Sequence, residues 1–177
     1  LKELGVKRFG LHAFLASNML GEEYYPLLAR LLMETGLELM DTCGVPLSFI
    51  NLSGGIGIPY RPEDKPADIA LVGERIHQHY LEMFGEPKPG GVRIMTELGR
   101  YMTGPYGWLV ARAMHEKRTY RHYIGLDACA SNLLRPAMYG AYHHITVCGK
   151  REAPATHTYD ITGALCENND KFAIDRP

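Results

Sequence analysis

From Val6 to Leu98 the chain alternates three short apolar runs with two long helical stripes, and this alternation restricts the fold more than any other feature. The runs are Val6 to Leu15 (VKRFGLHAFL), Leu47 to Leu52 (LSFINL) and Val92 to Leu98 (VRIMTEL). Between the first two, Glu22 to Leu39 carries Leu27, Leu28, Leu31, Leu32 and Leu39 at three-to-four spacing or its multiples, which predicts a helix. Gly44 and Pro46 close that unit, and a proline-rich loop from Pro59 to Pro66 leads to a second helical stretch. That stretch, Ala67 to Phe84, places Ile69, Val72, Ile76, Tyr80 and Met83 on one stripe. The order β-α-β-α-β predicts parallel strands covered by helices. Three such strands alone leave unpaired edges, so the sheet is expected to belong to a larger doubly wound fold or barrel, or the chain to be a piece of one.

After Arg100 the pattern changes. Strand-like runs separated by turn signals replace the helical stripes: Gly107 to Met114, Tyr120 to Asp127, Ala141 to Val147 and Tyr159 to Leu165. This predicts a mostly antiparallel β domain, dividing the chain into residues 1–105 and 106–177, with no helix in the second part. A net charge of -1 gives no reason to expect nucleic acid or an acidic membrane as a partner. No stretch approaches the roughly 20 apolar residues of a membrane span. The run Lys117 to His122 is basic enough for a phosphate but reads better as a solvated strand edge. Cys43, Cys129, Cys148 and Cys166 contain no CxxC pair, which argues against zinc and a disulfide framework and fits reduced thiols in a cytoplasm. The opening Leu1-Lys2-Glu3-Leu4-Gly5 resembles neither a signal peptide nor a natural start.

Five short motifs carry groups capable of chemistry. Ser53-Gly54-Gly55-Ile56-Gly57 follows a predicted strand, where glycines let backbone N–H groups converge on an anion; a plain tight turn accounts for the run equally well. Its glycine spacing does not fit a dinucleotide fingerprint. Glu97-Leu98-Gly99-Arg100 ends the third strand and could hold a cationic and an anionic group side by side, or be a simple ion pair. Arg135, in Arg135-Pro136-Ala137-Met138-Tyr139-Gly140, offers a fork suited to a carboxylate, although a surface turn arginine is the ordinary reading. Cys166-Glu167-Asn168-Asn169-Asp170 sets a thiol beside two carboxylates, and a loop with an incidental cysteine is its bland alternative. His12 and Phe14 end the first strand, with His12 read as a core histidine, and Ser17 follows where it can donate to an anion.

Taken in order, these motifs resemble the fold-type III, alanine-racemase-like decarboxylases, and most closely their diaminopimelate-acting branch. The resemblance runs from Phe9 to Asp170, and Arg135-Pro136-Ala137-Met138-Tyr139-Gly140-Ala141-Tyr142-His143-His144 is its most specific block. It implies the last three βα strands of a (β/α)8 barrel followed by part of a β domain. It also implies pyridoxal 5'-phosphate as cofactor, with Ser17 and the turn of Gly54, Gly55 and Gly57 at the phosphate. Glu97, beside Gly99, would meet the pyridine nitrogen, and Phe14 would stack on the ring. Arg100, Arg135 and Tyr139 would bind the carboxylates of an amino-acid substrate. Cys166 would donate the proton and Glu167 would hold the distal ammonium. The family's cysteine loop completes the partner's site, so a homodimer with shared active sites is expected.

The implied activity is conversion of meso-2,6-diaminopimelate to L-lysine, because Arg100 and Arg135 supply two carboxylate anchors. A sister decarboxylase of arginine, ornithine or carboxynorspermidine, or a non-catalytic regulatory homologue, is the alternative. Some positions depart from the family pattern. Phe14 stands where the family has a stacking His and Ala16 where it has Gly; Leu98 replaces a Pro, and Asn168-Asn169 replaces Ser-Gly. The family's cofactor lysine lies in a Tyr-Ala-x-Lys motif, a context that none of Lys2, Lys7, Lys65, Lys88, Lys117, Lys150 or Lys171 shares. The 177 residues are therefore expected to be an incomplete portion of the enzyme, inactive alone.

Overall fold

The structure, a computed structural model, describes residues 1–177. It has two compact units, one of residues 1–59 and 65–106, the other of residues 60–64 and 107–177.

In the first unit, β1 (Phe9–His12), β2 (Leu47–Asn51) and β3 (Arg93–Met95) form a parallel sheet in the order β1-β2-β3. His12 pairs with Asn51, and Asn51 with Met95, so the three carboxyl ends lie level. The strands are shorter than their apolar runs. After His12 the Ala13 amide still donates to the Asn51 carbonyl at 3.4 Å, and the chain then turns away through Asn18 at a φ of 55°. The helices α1 (Tyr24–Cys43) and α2 (Ile69–Phe84) connect the strands. Asp68 starts α2 two residues later than expected, because its carboxylate accepts from the Ala70 and Leu71 amides at 3.0 and 3.1 Å.

The expected stripe of α2 packs as read: Ile69, Val72, Ile76, Tyr80 and Met83 all join the core cluster. On α1 the expected helix forms, with Leu28 buried and Leu32 packed against the core. Leu27 and Leu31 point to solvent, and the buried face is Tyr25, Leu28, Ala29, Met33 and Gly36. Three-to-four spacing admits both registers, and close approach to β2 decides between them. A Cβ on Gly36 would lie 2.8 Å from Leu47 Cδ1, so a larger residue there would make the Leu47 side chain shift. Met33, Ile50 and Leu52 are fully buried in this core, each contributing about 1.5–3 kcal/mol.

The second unit holds a sheet in the order β4-β5-β6-β7, formed by Ala113–Arg118, His122–Leu126, Tyr159–Thr162 and Lys171–Arg176. Its outer pairings are antiparallel and the central β5-β6 pairing is parallel. A parallel neighbour needs a long crossover, which residues 127–158 provide. Several expectations are corrected here. Gly107 to Arg112 is irregular, and the strand comes later; Ala141 to Val147 forms no strand; and β7 had no counterpart among the expected runs. Helices also occur where none was expected. The five-residue α3 (Gly99–Thr103) follows β3, and α4 (Leu134–Tyr139) carries Arg135. Both are too short to show a period in sequence. The basic run forms the hairpin between β4 and β5, where Arg118 bonds Glu116 at 2.7 Å and Arg121 lies 3.4 Å from the buried Asp160. No helix is long and apolar enough to cross a membrane.

Candidate active site

In the first unit, three loops leave the carboxyl ends of β1, β2 and β3 and are stitched to one another. The Met19 amide donates to Gly55 O at 2.8 Å, the Gly57 amide to Met19 O at 2.7 Å, and the Ile58 amide to Asn18 Oδ1 at 3.1 Å. The Glu97 amide donates to Ser53 O at 2.8 Å, tying in the third loop. Gly55 adopts a φ of 109°, and its Cα lies against the Ala16 carbonyl; a side chain there would collide with backbone. Gly54 meets the Glu97 carbonyl in the same way. The Tyr25 hydroxyl, donating to Gly54 O, anchors the turn from below. Burial pushes the Tyr25 phenol up to about 12, so it remains a donor at neutral pH.

The same loops bring the candidate side chains together. Arg100 Nη2 lies 3.5 Å from Ser17 Oγ. Glu97 Oε1 accepts from Asn51 Nδ2 at 2.7 Å, and Asn51 Oδ1 in turn accepts from the Ser53 amide at 2.8 Å. The Glu97 carboxylate is otherwise exposed. Phe14 presents a ring that is 65% exposed, on the loop that carries Ser17. His12 is corrected: it is exposed at the end of β1, not part of the core. A hydroxyl, a glycine turn and a guanidinium suit a phosphate dianion, and a carboxylate with one oxygen already bonded suits a ring N–H. The donor set therefore fits the cofactor that the family motifs imply.

The remaining candidates lie in the second unit. Arg135 and Tyr139 sit on α4, Tyr139 exposed and Arg135 partly buried. The Arg135 guanidinium stacks 4.9 Å over the Tyr60 ring and lies 3.2 Å from His143 Nε2. Cys166 and Glu167 are exposed on the loop between β6 and β7. That loop closes on Asp170, which is 2% exposed and accepts from the Ala130 amide at 2.6 Å and the Leu165 amide at 2.7 Å. Glu167 Oε1 accepts from the Asn169 amide at 3.2 Å.

Asn51, Tyr60, His143 and Asp170 were not assigned roles by sequence reasoning. Asn51 had a usable signal, a polar residue ending an apolar strand just before a glycine turn. His143 and Asp170 stand inside the quoted motifs, beside residues whose side chains are more reactive.

A family model for the C-terminal sheet domain of pyridoxal-dependent decarboxylases matches residues 16–177. The chain belongs to the pyridoxal-dependent decarboxylases. It is 37% identical over 174 residues to the diaminopimelate decarboxylase of Methanothermobacter thermautotrophicus, covering 98% of this chain and 41% of that protein. It is 38% identical over 172 residues to Protein TabA of Pseudomonas amygdali pv. tabaci, covering 97% of this chain and 40% of that one. Among solved structures, Helicobacter pylori diaminopimelate decarboxylase complexed with L-lysine superposes with a TM-score of 0.76 at 25% identity, covering 95% of this chain and 39% of that one. The M. jannaschii enzyme in co-complex with L-lysine gives 0.74 at 27%, covering 93% and 37%. The chain spans about two fifths of the length of these relatives.

Proposed function

We propose that this chain is part of a pyridoxal-phosphate-dependent decarboxylase that converts meso-2,6-diaminopimelate to L-lysine. The observation that carries the reading is the meeting of Ser17, the Gly54-to-Gly57 turn, Glu97 and Arg100 at the carboxyl ends of three parallel strands. Ligands of barrel enzymes bind at that end. Residues 1–105 correspond in this reading to the last three βα strands of the barrel, and residues 106–177 to part of the β domain. A homodimer in the cytoplasm, with each cysteine loop completing its partner's site, belongs to the same reading.

Pyridoxal phosphate supplies the electron sink that makes loss of carbon dioxide feasible. The chain's own residues do the rest. Ser17 Oγ, the glycine turn and the Arg100 guanidinium hold the phosphate. Glu97 accepts the ring N–H and keeps that nitrogen protonated. Phe14 covers one ring face, offering stacking without the polar edge of a histidine. Arg100, Arg135 and Tyr139 take the substrate carboxylates. Glu167 pairs with the distal ammonium, and Cys166 delivers a proton to the carbon that has lost its carboxylate.

Carbon dioxide release by the full-length protein carrying these residues, with pyridoxal phosphate and a panel of amino acids, tests this. The reading expects turnover of meso-diaminopimelate well above arginine, ornithine or carboxynorspermidine. Preference for one of those three transfers the site to a sister reaction. A second reading, a non-catalytic homologue, draws on the seven lysines, none of which has the Tyr-Ala-x-Lys context. Cofactor binding without any turnover would favour it.

A further inference from the structure

We propose that His143 and Tyr60 are positioning residues for Arg135: together they fix its guanidinium so that its free N–H groups can receive a substrate carboxylate. The proposal rests on the reading of Arg135 as a carboxylate anchor, and all its groups lie within the second unit.

The contact between Arg135 Nη1 and His143 Nε2 is 3.2 Å. A guanidinium can only donate, so Nε2 must accept, which assigns a neutral His143 with its proton on Nδ1. The Tyr60 ring supports both partners. It lies 4.9 Å beneath the Arg135 guanidinium carbon and 4.7 Å edge-on from the His143 imidazole, at 69°. The backbone of His143 is fixed as well, since Arg176 Nη1 donates to its carbonyl at 3.2 Å. The neighbouring Tyr142 ring is clamped between Arg61 and Arg176, each 4.2 Å from its centroid.

The charges around His143 make this arrangement directional. Arg135 comes from α4, Arg176 from β7 and Arg61 from the 60–64 segment. Glu63 lies 3.9 Å from Arg61, Asp64 Oδ2 accepts from the Arg61 amide at 3.0 Å, and His144 Nδ1 lies 3.3 Å from the Tyr142 hydroxyl. The Arg135 guanidinium against Nε2 requires that nitrogen to be unprotonated. Protonating His143 removes the acceptor and sets two cations 3.2 Å apart. Arg135 then leaves its position, and substrate binding weakens in acid while the chemical step is untouched.

The test uses the full-length protein and two readouts: KM and kcat for diaminopimelate, and the Kd of L-lysine by calorimetry, each followed over pH. His143→Leu should raise KM and Kd about tenfold, the loss of one hydrogen bond to a charged group, with kcat little changed. His143→Gln keeps an acceptor at the Nε2 position at every pH, so it should restore KM and abolish the acid-side rise of the wild type. Tyr60→Phe keeps the ring and should match wild type, whereas Tyr60→Leu should behave like His143→Leu. Unchanged KM and Kd in His143→Leu, or an acid-side rise that persists in His143→Gln, overturns the proposal. If His143→Leu does not fold, the pH profile of His143→Gln decides alone. Arg135→Ala separates the two layers. If it leaves both the KM for diaminopimelate and the Kd of L-lysine intact, the anchor reading of Arg135 fails; if it raises either while the His143 and Tyr60 variants alter neither, only the positioning proposal fails.

Discussion

Asn51 links the end of one strand to the carboxylate that leaves the next, donating to Glu97 Oε1 at 2.7 Å while accepting from the Ser53 amide at 2.8 Å. The Ser53 N–H can only donate, so the orientation of the Asn51 amide is determined and Glu97 is the acceptor. The bond fixes one carboxylate oxygen and leaves the other to accept from a ring N–H. Asn51→Leu keeps the branched shape and removes both bonds. In the full-length protein it should weaken pyridoxal phosphate binding about tenfold, read from an absorbance titration. Unchanged affinity would show that Glu97 needs no such support.

Tyr25 carries the glycine turn on its hydroxyl, and its phenol is raised from 10.0 to about 12 by burial. A folded pKa above the unfolded one gives stability that is full below pH 10 and is lost as pH climbs towards 12. Tyr25→Phe should cost about 1–3 kcal/mol at neutral pH, because Gly54 O loses its buried donor. It should also flatten the decline in stability above pH 10, as followed by urea unfolding at several pH values.

Asp170 lies buried beneath the cysteine loop and bonds the Ala130 and Leu165 amides. Asp170→Ala orphans both N–H groups and should destabilise the second unit by about 2 kcal/mol or more. Hydrogen exchange should quicken first at Ala130 and Leu165. Unchanged protection there would mean the loop is held by other contacts.

Cys166 and Glu167 should separate kinetically. If Cys166 is the proton donor proposed above, it acts in the chemical step, and Cys166→Ala should lower kcat by about 10²–10⁴ with KM nearly intact. In the proposed reading Glu167 meets an ammonium in ground and transition states alike, so Glu167→Gln should chiefly raise KM. The opposite split in steady-state kinetics would exchange their roles.

The first unit was largely legible in the sequence because its elements are long and their apolar periods repeat. The α2 stripe was read residue by residue, whereas the leucines of α1 indicated the helix but not its buried face, which includes Tyr25, Ala29 and Met33. The second unit was harder. β4 is exposed along its whole length, so Ala113 to Arg118 shows no alternation to detect. The six residues of α4 span fewer than two helical turns, and Arg135 was therefore placed in a turn. Reactive residues could be picked out by type, but Asn51 and Tyr60 reach Glu97, Arg135 and His143 only through contacts of 2.7 to 4.9 Å between residues far apart in the chain.

The central claim is that this chain furnishes the phosphate, ring-nitrogen and carboxylate contacts of a cofactor whose lysine lies elsewhere. Borohydride reduction of the full-length protein with pyridoxal phosphate, followed by peptide mapping, tests it most directly. The account predicts one pyridoxyl group per subunit, on a lysine in a Tyr-Ala-x-Lys sequence and on none of Lys2, Lys7, Lys65, Lys88, Lys117, Lys150 or Lys171. It further predicts that Glu97→Ala or Arg100→Ala sharply reduces the labelling. A label on one of those seven lysines, or labelling indifferent to Glu97 and Arg100, would contradict it.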